Sequence, residues 1–298
     1  METSPPGAPD PCDGIALGVE EEFHVLDRAT RELVARAPDL LAHLPDQSYV
    51  AELHRSVVEV KSSVCTTLDD LRADLRRTRA LLVDTAGREN LGVVAAGTVP
   101  LVDPADIAVT GAGRFRQMLE DYKLLVREQL ICGLQVHVQV TDRDLAVRLA
   151  GRVAPYVPVL LALSASSPFW HGEDTGYASA RSLVWQRWPT AGQLLQSDTA
   201  AEYDELVADL VKSQTISDAG MIYFDVRPSA HLPTLELRAP DACPDVDDVI
   251  LLAALFRALV RREWAAVTDK APTVRHPALL RAAMWRAARS GLEGDLLD

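Results

Sequence analysis

The chain has 298 residues, 48% of them hydrophobic, so it is long enough for one large domain or two small ones with a sizeable core. Its formal net charge of −13, from 43 acidic and 30 basic residues, argues against nucleic acid or an anionic membrane as the main partner. No apolar run reaches the roughly 18 residues of a membrane span, no signal-peptide pattern opens the sequence, and the four cysteines form no CxxC pair, which together predict a cytoplasmic protein with reduced thiols.

The sequence begins with METSPPGAPDPCDG, which is rich in proline and glycine. This composition predicts a flexible arm over residues 1–14. No internal repeat or linker interrupts the remainder of the sequence. Residues 15–298 are therefore predicted to form a single domain.

Strands and helices are predicted at irregular intervals along this domain. The predicted strands are residues 15–26, 54–61, 91–97, 133–140, 220–226 and 233–238. The predicted helices are residues 66–90, 114–129, 142–163, 200–214, 245–264 and 276–290. Prolines at 155 and 158 should bend or restart the third of these helices. Because strands and helices do not alternate regularly, the pattern favours an antiparallel-rich α+β domain, with helices on one face, over a doubly wound sheet.

The first predicted strand contains three consecutive glutamates within the run LGVEEEFHVLD, residues 17–27. Successive side chains of a strand point to opposite faces, so Glu20 and Glu22 share one face with His24. Two neighbouring carboxylates repel each other, and burying them without a partner is costly. A metal ion, arginines or water is therefore expected to face this pair.

Later strands repeat this placement of polar residues at alternate positions. These residues are Glu59 in the second strand, Gln135, His137 and Gln139 in the fourth, and Glu236 and Arg238 in the sixth. If these faces line one groove, four carboxylates meet there with amides and an imidazole. Such an oxygen-rich site without thiolates suits Mg²⁺ or Mn²⁺. Two such metals with nearby arginines are the usual means of binding a triphosphate.

The sequence contains no P-loop, GxGxxG or GxSxG motif, so a nucleotide would have to bind through metals and side-chain cations. The candidate cations are Arg181, Arg187, Arg227 and Arg238. Each candidate also has a structural interpretation: a glutamate at a solvated edge, a histidine in the core, or an arginine in an ion pair. The combination of these residues, more than any single one, favours a functional site.

Eight motifs occur in the order found in type 2 glutamate–cysteine ligases. They are GVEEEF, VVEV, AAGTVPL, CGLQVHV, LLALSASSPFWHGEDTGYASARS, WPTAG, DVRPS and TLELRAPD. From about residue 15 to the C-terminus, the chain resembles the YbdK-like carboxylate–amine ligases of this family. The resemblance implies a fold similar to the glutamine synthetase catalytic domain, in which a curved antiparallel sheet forms a half-barrel funnel backed by helices.

The resemblance also implies ATP-dependent amide formation. The γ-phosphoryl group of ATP passes to a carboxylate, and an amine then displaces phosphate from the acyl phosphate. The implied metal ligands are Glu20, Glu22, Glu59 and Glu236; Arg238 would face the phosphates and Arg181 a substrate carboxylate. Arg227 and Arg187 are further candidates for binding the nucleotide.

Gln135 occupies a position near the metals where the family usually has a histidine. Its amide oxygen can still bind a metal, and His137 on the same face could serve instead. The expected ligands are ATP with Mg²⁺ or Mn²⁺, an amino-acid or carboxylate substrate, and an amine. The sequence leaves the identity of the two substrates and the formation of a homo-oligomer open.

An alternative hypothesis is a catalytically weakened relative that binds a nucleotide or amino acid and acts through a partner. The intact glutamates and Arg238 favour the enzyme. Gln135, and a C-terminus shorter than that of many relatives, favour the alternative.

Overall fold

The computed structural model describes residues 14–102, 108–111, 113–194, 197–267 and 276–297. Except for Gly14, the predicted N-terminal arm lies outside these residues. The elements below are those of the described part of the chain.

Most strands belong to one antiparallel sheet. The strands are Leu17–Asp27 (β1), Tyr49–Ala51 (β2), Val57–Lys61 (β3), Leu91–Val94 (β4), Leu134–Gln139 (β5), Phe169–Trp170 (β6), Glu173–Asp174 (β7), Val226–Pro228 (β8) and Thr234–Leu237 (β9). The main sheet has the order β2-β3-β1-β5-β9-β8, and β4 pairs with the C-terminal part of β1. β6 and β7 form a separate hairpin. The sheet does not close into a barrel.

Ten helices are found in the described residues. They are Ala37–Leu41 (α1), Leu68–Arg88 (α2), Arg114–Tyr122 (α3), Leu124–Arg127 (α4), Arg143–Val153 (α5), Val157–Ser164 (α6), Ala180–Trp185 (α7), Ala200–Lys212 (α8), Val246–Ala265 (α9) and Pro277–Ser290 (α10). α2 begins at the cap Thr67, whose side chain accepts a hydrogen bond from the backbone N–H of Asp70. α8 begins with a capping box formed by Thr199 and Glu202.

Three long helices cover one face of the sheet. α2 packs on β4, α9 on β1 and β5, and α5 on β8 and β9, while α6 and α10 pack together in a further layer. The apolar residues of β1, including Val19, Phe23 and Val25, are buried in this core. Glu21 lies among them, and its carboxylate accepts a hydrogen bond of 2.5 Å from Arg79 of α2. The middle glutamate of the first strand is therefore neutralised on the helix side, and the other two belong to the opposite face.

The predicted α+β class and antiparallel sheet are confirmed. The predicted strand at 220–226 is wrong: a 3₁₀ turn at Ala219–Met221 precedes the short strand β8. Asp218 caps that turn by accepting a hydrogen bond of 2.8 Å from the backbone N–H of Gly220. A polar cap therefore overrides the apolar run in the sequence.

Two predicted helices are divided. The helix predicted at 114–129 breaks at Lys123, where φ is +51°, and continues as α4. The helix predicted at 142–163 is interrupted by a 3₁₀ turn at Ala154–Tyr156, which contains Pro155, in agreement with the expected effect of the prolines.

One segment of the described chain is long and apolar enough to cross a membrane. It is Arg143–Ser164, 22 residues long; a window of 18 residues within it has a mean hydropathy of 1.4, and 72% of that window is buried inside the protein. The segment comprises α5, the 3₁₀ turn and α6, which pack on the sheet and on other helices. One such segment is weak evidence of a membrane span, because a mostly buried core helix passes the same test of length and composition.

Candidate active site

The sheet face that carries the alternate polar residues forms one wall of a cavity of about 480 Å³. β1, β3, β5, β8 and β9 all contribute side chains to this wall. Residues of α3 and α7, the loop that follows β8, and segments 52–54, 129–131 and 220–223 line most of the remainder. The sequence-predicted residues that line the cavity are Glu20, Glu22, Glu59, Gln135, His137, Arg181, Arg227, Glu236 and Arg238.

Three carboxylates lie close together at one side of this cavity. Oxygen atoms of Glu22, Glu52 and Glu59 lie within 4.8 Å of one another. The strand register places Glu22 of β1 directly opposite Glu59 of β3. Burial raises the pKa of Glu52 well above its ordinary value, and the charges of Glu59 and Glu22 raise it further.

Sequence reasoning missed Glu52. It follows β2, a strand of three residues that is too short to produce an alternating pattern. Glu52 does stand between the apolar residues Ala51 and Leu53, as Glu59 stands among valines. That similarity was the available signal, but only the pairing of β2 with β3 shows that the two acids meet.

Glu22 is held by two hydrogen bonds. Its Oε2 accepts from the backbone N–H of Gly133 at 2.6 Å, and its Oε1 accepts from Gln135 Nε2 at 2.9 Å. Burial raises the pKa of Glu22, and repulsion by Glu59 adds to the rise, whereas the charge of Arg181 opposes it. Gln135 therefore orients a carboxylate in this structure, and its role as a metal ligand stays a prediction.

Glu20 and His137 form a second group in the cavity. His137 Nε2 lies 3.8 Å from Glu20 Oε2, and Lys61 Nζ lies 3.6 Å from Glu20 Oε1. His137 Nδ1 shares a hydrogen bond of 2.9 Å with the hydroxyl of Thr234. Nε2 of the same ring is buried and has no hydrogen-bond partner among the described residues. Burial opposes the shift, but the proximity of His137 and the charge of Lys61 lower the pKa of Glu20.

Glu236 lies between two arginines. Arg227 Nε donates to Glu236 Oε2 at 2.9 Å, and Arg238 Nη1 donates to Oε1. Against the effect of burial, these two guanidinium groups lower the pKa of Glu236 far below its usual range. Its charge is therefore already compensated within the protein, unlike that of Glu22.

Arg181 and Arg238 lie beside the ring of Trp185. Their Cζ atoms are 5.7 Å and 5.4 Å from the ring centroid. Arg181 also donates to two backbone carbonyls, those of Ala239 at 2.9 Å and Arg238 at 3.2 Å. Both guanidinium groups line the cavity, and their roles toward phosphate and carboxylate stay predictions.

The structure does not bring Arg187 to the cavity. Arg187 lies beyond the end of α7, and its side chain pairs with Glu128 and donates to the carbonyl of Val184. The chain turns back after α7, with Trp188 N–H bonded to the carbonyl of Trp185. The turn directs Arg187 to this ion pair, so the prediction that Arg187 binds a nucleotide is not supported by its position.

The donor set fits a hard divalent cation. Three clustered carboxylates are the oxygen ligands that Mg²⁺ and Mn²⁺ prefer, and Lys61 is 3.0 Å from Glu59 alone among them. His137 adds a buried ring nitrogen that has no hydrogen-bond partner in the described part of the chain, while Thr234 fixes the other nitrogen of the ring. A metal-binding histidine usually has such a support.

Comparison with known proteins identifies the relatives of this chain. The model of "Glutamate-cysteine ligase family 2 (GCS2)" matches residues 16–298. A protein of Mycolicibacterium smegmatis named "Putative glutamate–cysteine ligase 2-2" is 60% identical over 284 residues, covering 95% of this chain and 72% of the relative. A Frankia casuarinae protein of the same name is 59% identical, and the match covers 95% of this chain but only 33% of that relative.

Two solved structures share the fold. A bifunctional glutathione synthetase from Pasteurella multocida matches with a TM-score of 0.70 and 15% identity, covering 93% of this chain and 41% of that chain. A glutamate–cysteine ligase from Francisella tularensis in complex with AMP matches with a TM-score of 0.66 and 14% identity, covering 94% of this chain and 72% of that chain. These similarities concern the fold. The family model and the sequence relatives carry the assignment, and they show that this chain belongs to glutamate–cysteine ligase family 2.

Proposed function

We propose that this protein is an ATP-dependent ligase that joins a carboxylate to an amine and requires a divalent metal ion. The observation that carries the proposal is the cluster of Glu22, Glu52 and Glu59, which shares one cavity with Arg181 and Arg238 in a member of this ligase family. Glutamate and cysteine are the proposed substrates, because the relatives' names state them.

A metal is needed because the cluster alone would repel a triphosphate. Two like charges about 4 Å apart repel each other by about 4 kcal/mol at an effective dielectric constant of about 20. Glu22, Glu52 and Glu59 would hold one metal, and Glu20 with His137 would contribute to a second. When bound, the metals would neutralise the phosphate oxygens during phosphoryl transfer.

Glu236 has a different proposed role from the other acids. Because it is bonded to both Arg227 and Arg238, it holds these two guanidinium groups at the cavity wall. A guanidinium group fixed in this way binds a phosphate or a carboxylate without first losing its own freedom of movement. Arg238 is therefore proposed to contact the phosphates. Glu236 is proposed to hold Arg238 in position as well as to serve as a metal ligand.

The proposed reaction has two steps. In the first, a carboxylate oxygen of the acid substrate attacks the γ-phosphorus of ATP, the bond to the β-γ bridging oxygen breaks, and ADP leaves. In the second, the amine nitrogen attacks the acyl carbon, the carbon–oxygen bond to phosphate breaks, and inorganic phosphate and a proton are released. Both steps move negative charge between oxygens, so fixed cations in a cavity are the main catalytic requirement.

The direct test is to incubate the protein with ATP, Mg²⁺ and an amino-acid pool. Phosphate release and new amide masses would be measured together. The proposal predicts both for the wild type, their loss in Glu22→Gln, and their retention in Arg187→Gln, whose side chain lies outside the cavity. A wild-type protein that binds ATP but releases no phosphate with any acid and amine would instead support the catalytically weakened relative.

A further inference from the structure

Asp241 is a buried carboxylate outside the carboxylate cluster, and it joins two segments of the chain. Asp241 has no exposed surface. Its Oδ2 accepts hydrogen bonds from Ser167 Oγ at 2.6 Å and from the backbone N–H of Ser166 at 3.0 Å. Its Oδ1 accepts from Ser179 Oγ at 2.8 Å. The serines come from the motif LLALSASSPFWHGEDTGYASARS and the aspartate from TLELRAPD, so one carboxylate connects two motifs.

The same carboxylate lies next to Arg181. Arg181 Nη1 is 3.8 Å from Asp241 Oδ1, and the backbone N–H of Arg181 donates to Ser167 Oγ at 3.2 Å. Ser179 is the N-cap of α7, which contains Arg181 in its first turn. Burial raises the pKa of Asp241, and the charge of Arg181 and the serine donors oppose that rise. Asp241 thus contacts both the start of the helix and the guanidinium group that the helix carries.

Arg181 extends this network to the cavity wall. Its guanidinium donates to the carbonyl oxygens of Arg238 and Ala239, directly after β9. Arg238 in turn bonds to Glu236 with its side chain. The position of Arg238 in the cavity therefore depends on a backbone segment that Arg181 holds.

Two glycines give the network its room. A Cβ at Gly97 would lie 2.8 Å from Asp241 Cγ and 2.8 Å from Ser167 Cβ. A Cβ at Gly133 would lie 2.2 Å from Arg181 Nη2. Real Cβ atoms do not come this close to other atoms, so any larger residue at either position would displace the carboxylate or the guanidinium. These glycines belong to the motifs AAGTVPL and CGLQVHV, which are thereby linked to the same network.

We propose that Asp241 is a positioning residue for the ligase reaction, which fixes Arg181 and, through it, Arg238 in place for an anionic group of a substrate. This inference rests on the proposed function. Asp241 does not line the cavity, so it acts through the arginines and touches no substrate. Its loss should weaken binding of the acid substrate or ATP more than it slows turnover.

The first test compares two isosteric changes, Asp241→Asn and Glu21→Gln. Glu21 is the matched control because its carboxylate is also buried and also pairs with an arginine, Arg79, but on the helix side of the sheet. Both variants should lose thermal stability. Asp241→Asn alone should raise KM for the acid substrate or ATP about 10-fold, which corresponds to about 1.4 kcal/mol. An unchanged KM in Asp241→Asn, with a stability loss like that of the control, would leave Asp241 a purely structural role and overturn the proposal.

A milder change keeps the test informative if Asp241→Asn does not fold. Ser167→Ala removes one donor to Asp241 and one acceptor for the Arg181 backbone, while the carboxylate stays. We expect an increase in KM of the same kind and smaller size. Normal KM values in Ser167→Ala would contradict the claim that the hydrogen bonds around Asp241 fix the position of Arg181.

A second readout does not depend on catalysis. Because Arg181 and Arg238 lie beside the ring of Trp185, displacement of either guanidinium should change the fluorescence and near-UV circular dichroism of that indole. The Trp185 signal is obtained by subtracting the spectrum of the matching Trp185→Phe variant. Asp241→Asn should alter this signal and Glu21→Gln should not. If the wild type shows no ligase activity, the proposed function fails but this measurement still decides the positioning role; an unaltered Trp185 signal would refute it.

Discussion

Two isosteric substitutions in the same cavity should have opposite effects on the metal-free protein. Glu22→Gln removes a charge from a cluster of three carboxylates, whereas Glu236→Gln removes the shared partner of Arg227 and Arg238. Each replacement preserves side-chain size, so packing changes little. The difference between the two variants therefore measures electrostatics.

The magnitudes follow from the contacts. At the 4.8 Å limit of the cluster, each carboxylate pair repels by about 3 kcal/mol at an effective dielectric constant of about 20. Removing the Glu22 charge relieves part of this repulsion, and the new amide can still accept from the Gly133 N–H. Glu236 is 2% exposed, and removing one partner of a buried ion pair costs about 3–5 kcal/mol. Without metal, Glu22→Gln should match or exceed wild-type stability, while Glu236→Gln should lose several kcal/mol.

The assay is urea denaturation in EDTA, repeated with Mn²⁺ or Mg²⁺. Added metal should stabilise the wild type and should stabilise Glu22→Gln much less, because binding to the native state alone adds to the free energy of unfolding. Glu21→Gln serves as a control for a buried carboxylate outside the cavity. A large loss of stability in metal-free Glu22→Gln, or equal effects of the two cavity substitutions, would refute the distinction between them. Glu22 would then not belong to a metal-binding cluster while Glu236 holds the two arginines.

Three further predictions concern metal, ligand choice and pH. ATP binding measured by calorimetry should require Mg²⁺ or Mn²⁺ and nearly vanish in EDTA, and equal affinity in both would refute a metal bridge. His137→Ala should abolish metal stimulation of activity, and Gln135→His should tighten metal binding about 10-fold; if neither change has an effect, β5 does not bind the metal. Burial raises the pKa of Asp225 from its ordinary value of 3.8 to about 7. Between these two pH values the carboxyl group is protonated in the folded protein and ionised in the unfolded chain. The contribution of Asp225 to the free energy of unfolding is complete below pH 3.8 and is lost as the pH rises through about 7. Asp225→Asn should therefore flatten the stability–pH curve over this range, and an unchanged slope would contradict the shift.

The sequence predicts which face of each long strand is polar, because the period of two is a local property of an extended chain. β1 was predicted at 15–26 and lies at Leu17–Asp27, and most of the polar residues predicted on β1, β3, β5 and β9 line one cavity; His24 and Gln139 do not. The division of these residues into groups was not predictable in this way. It depends on β1 lying between β3 and β5, which places Glu22 opposite Glu59 and Glu20 opposite Gln135.

The missed features depend on contacts distant in the sequence. Glu52 lies in the cluster because it follows a strand of three residues that pairs with β3. Arg187 lies outside the cavity and pairs with Glu128, 59 residues earlier in the sequence. Nothing in the sequence around Asp241 indicates a function, because it is a single aspartate in a loop. Its surroundings of serines, glycines and an arginine come from motifs that the sequence analysis quoted, but only their meeting in space shows what they hold.

The charge of the cavity explains how an acidic protein could bind a polyanion. Its lining contains five glutamates and five lysines or arginines. The cavity therefore has no excess of acidic residues, although the chain has a net charge of −13. Each of these basic residues has an acidic partner, and that of Lys61 is Glu59. Arg114 pairs with Asp218, Arg181 with Asp241, and the arginines on either side of Glu236 share that carboxylate. Among the described residues Glu22 and Glu52 have no ion pair, so the metal ion of the proposed function would bind beside these two carboxylates, and the arginines of the same cavity would face the phosphates.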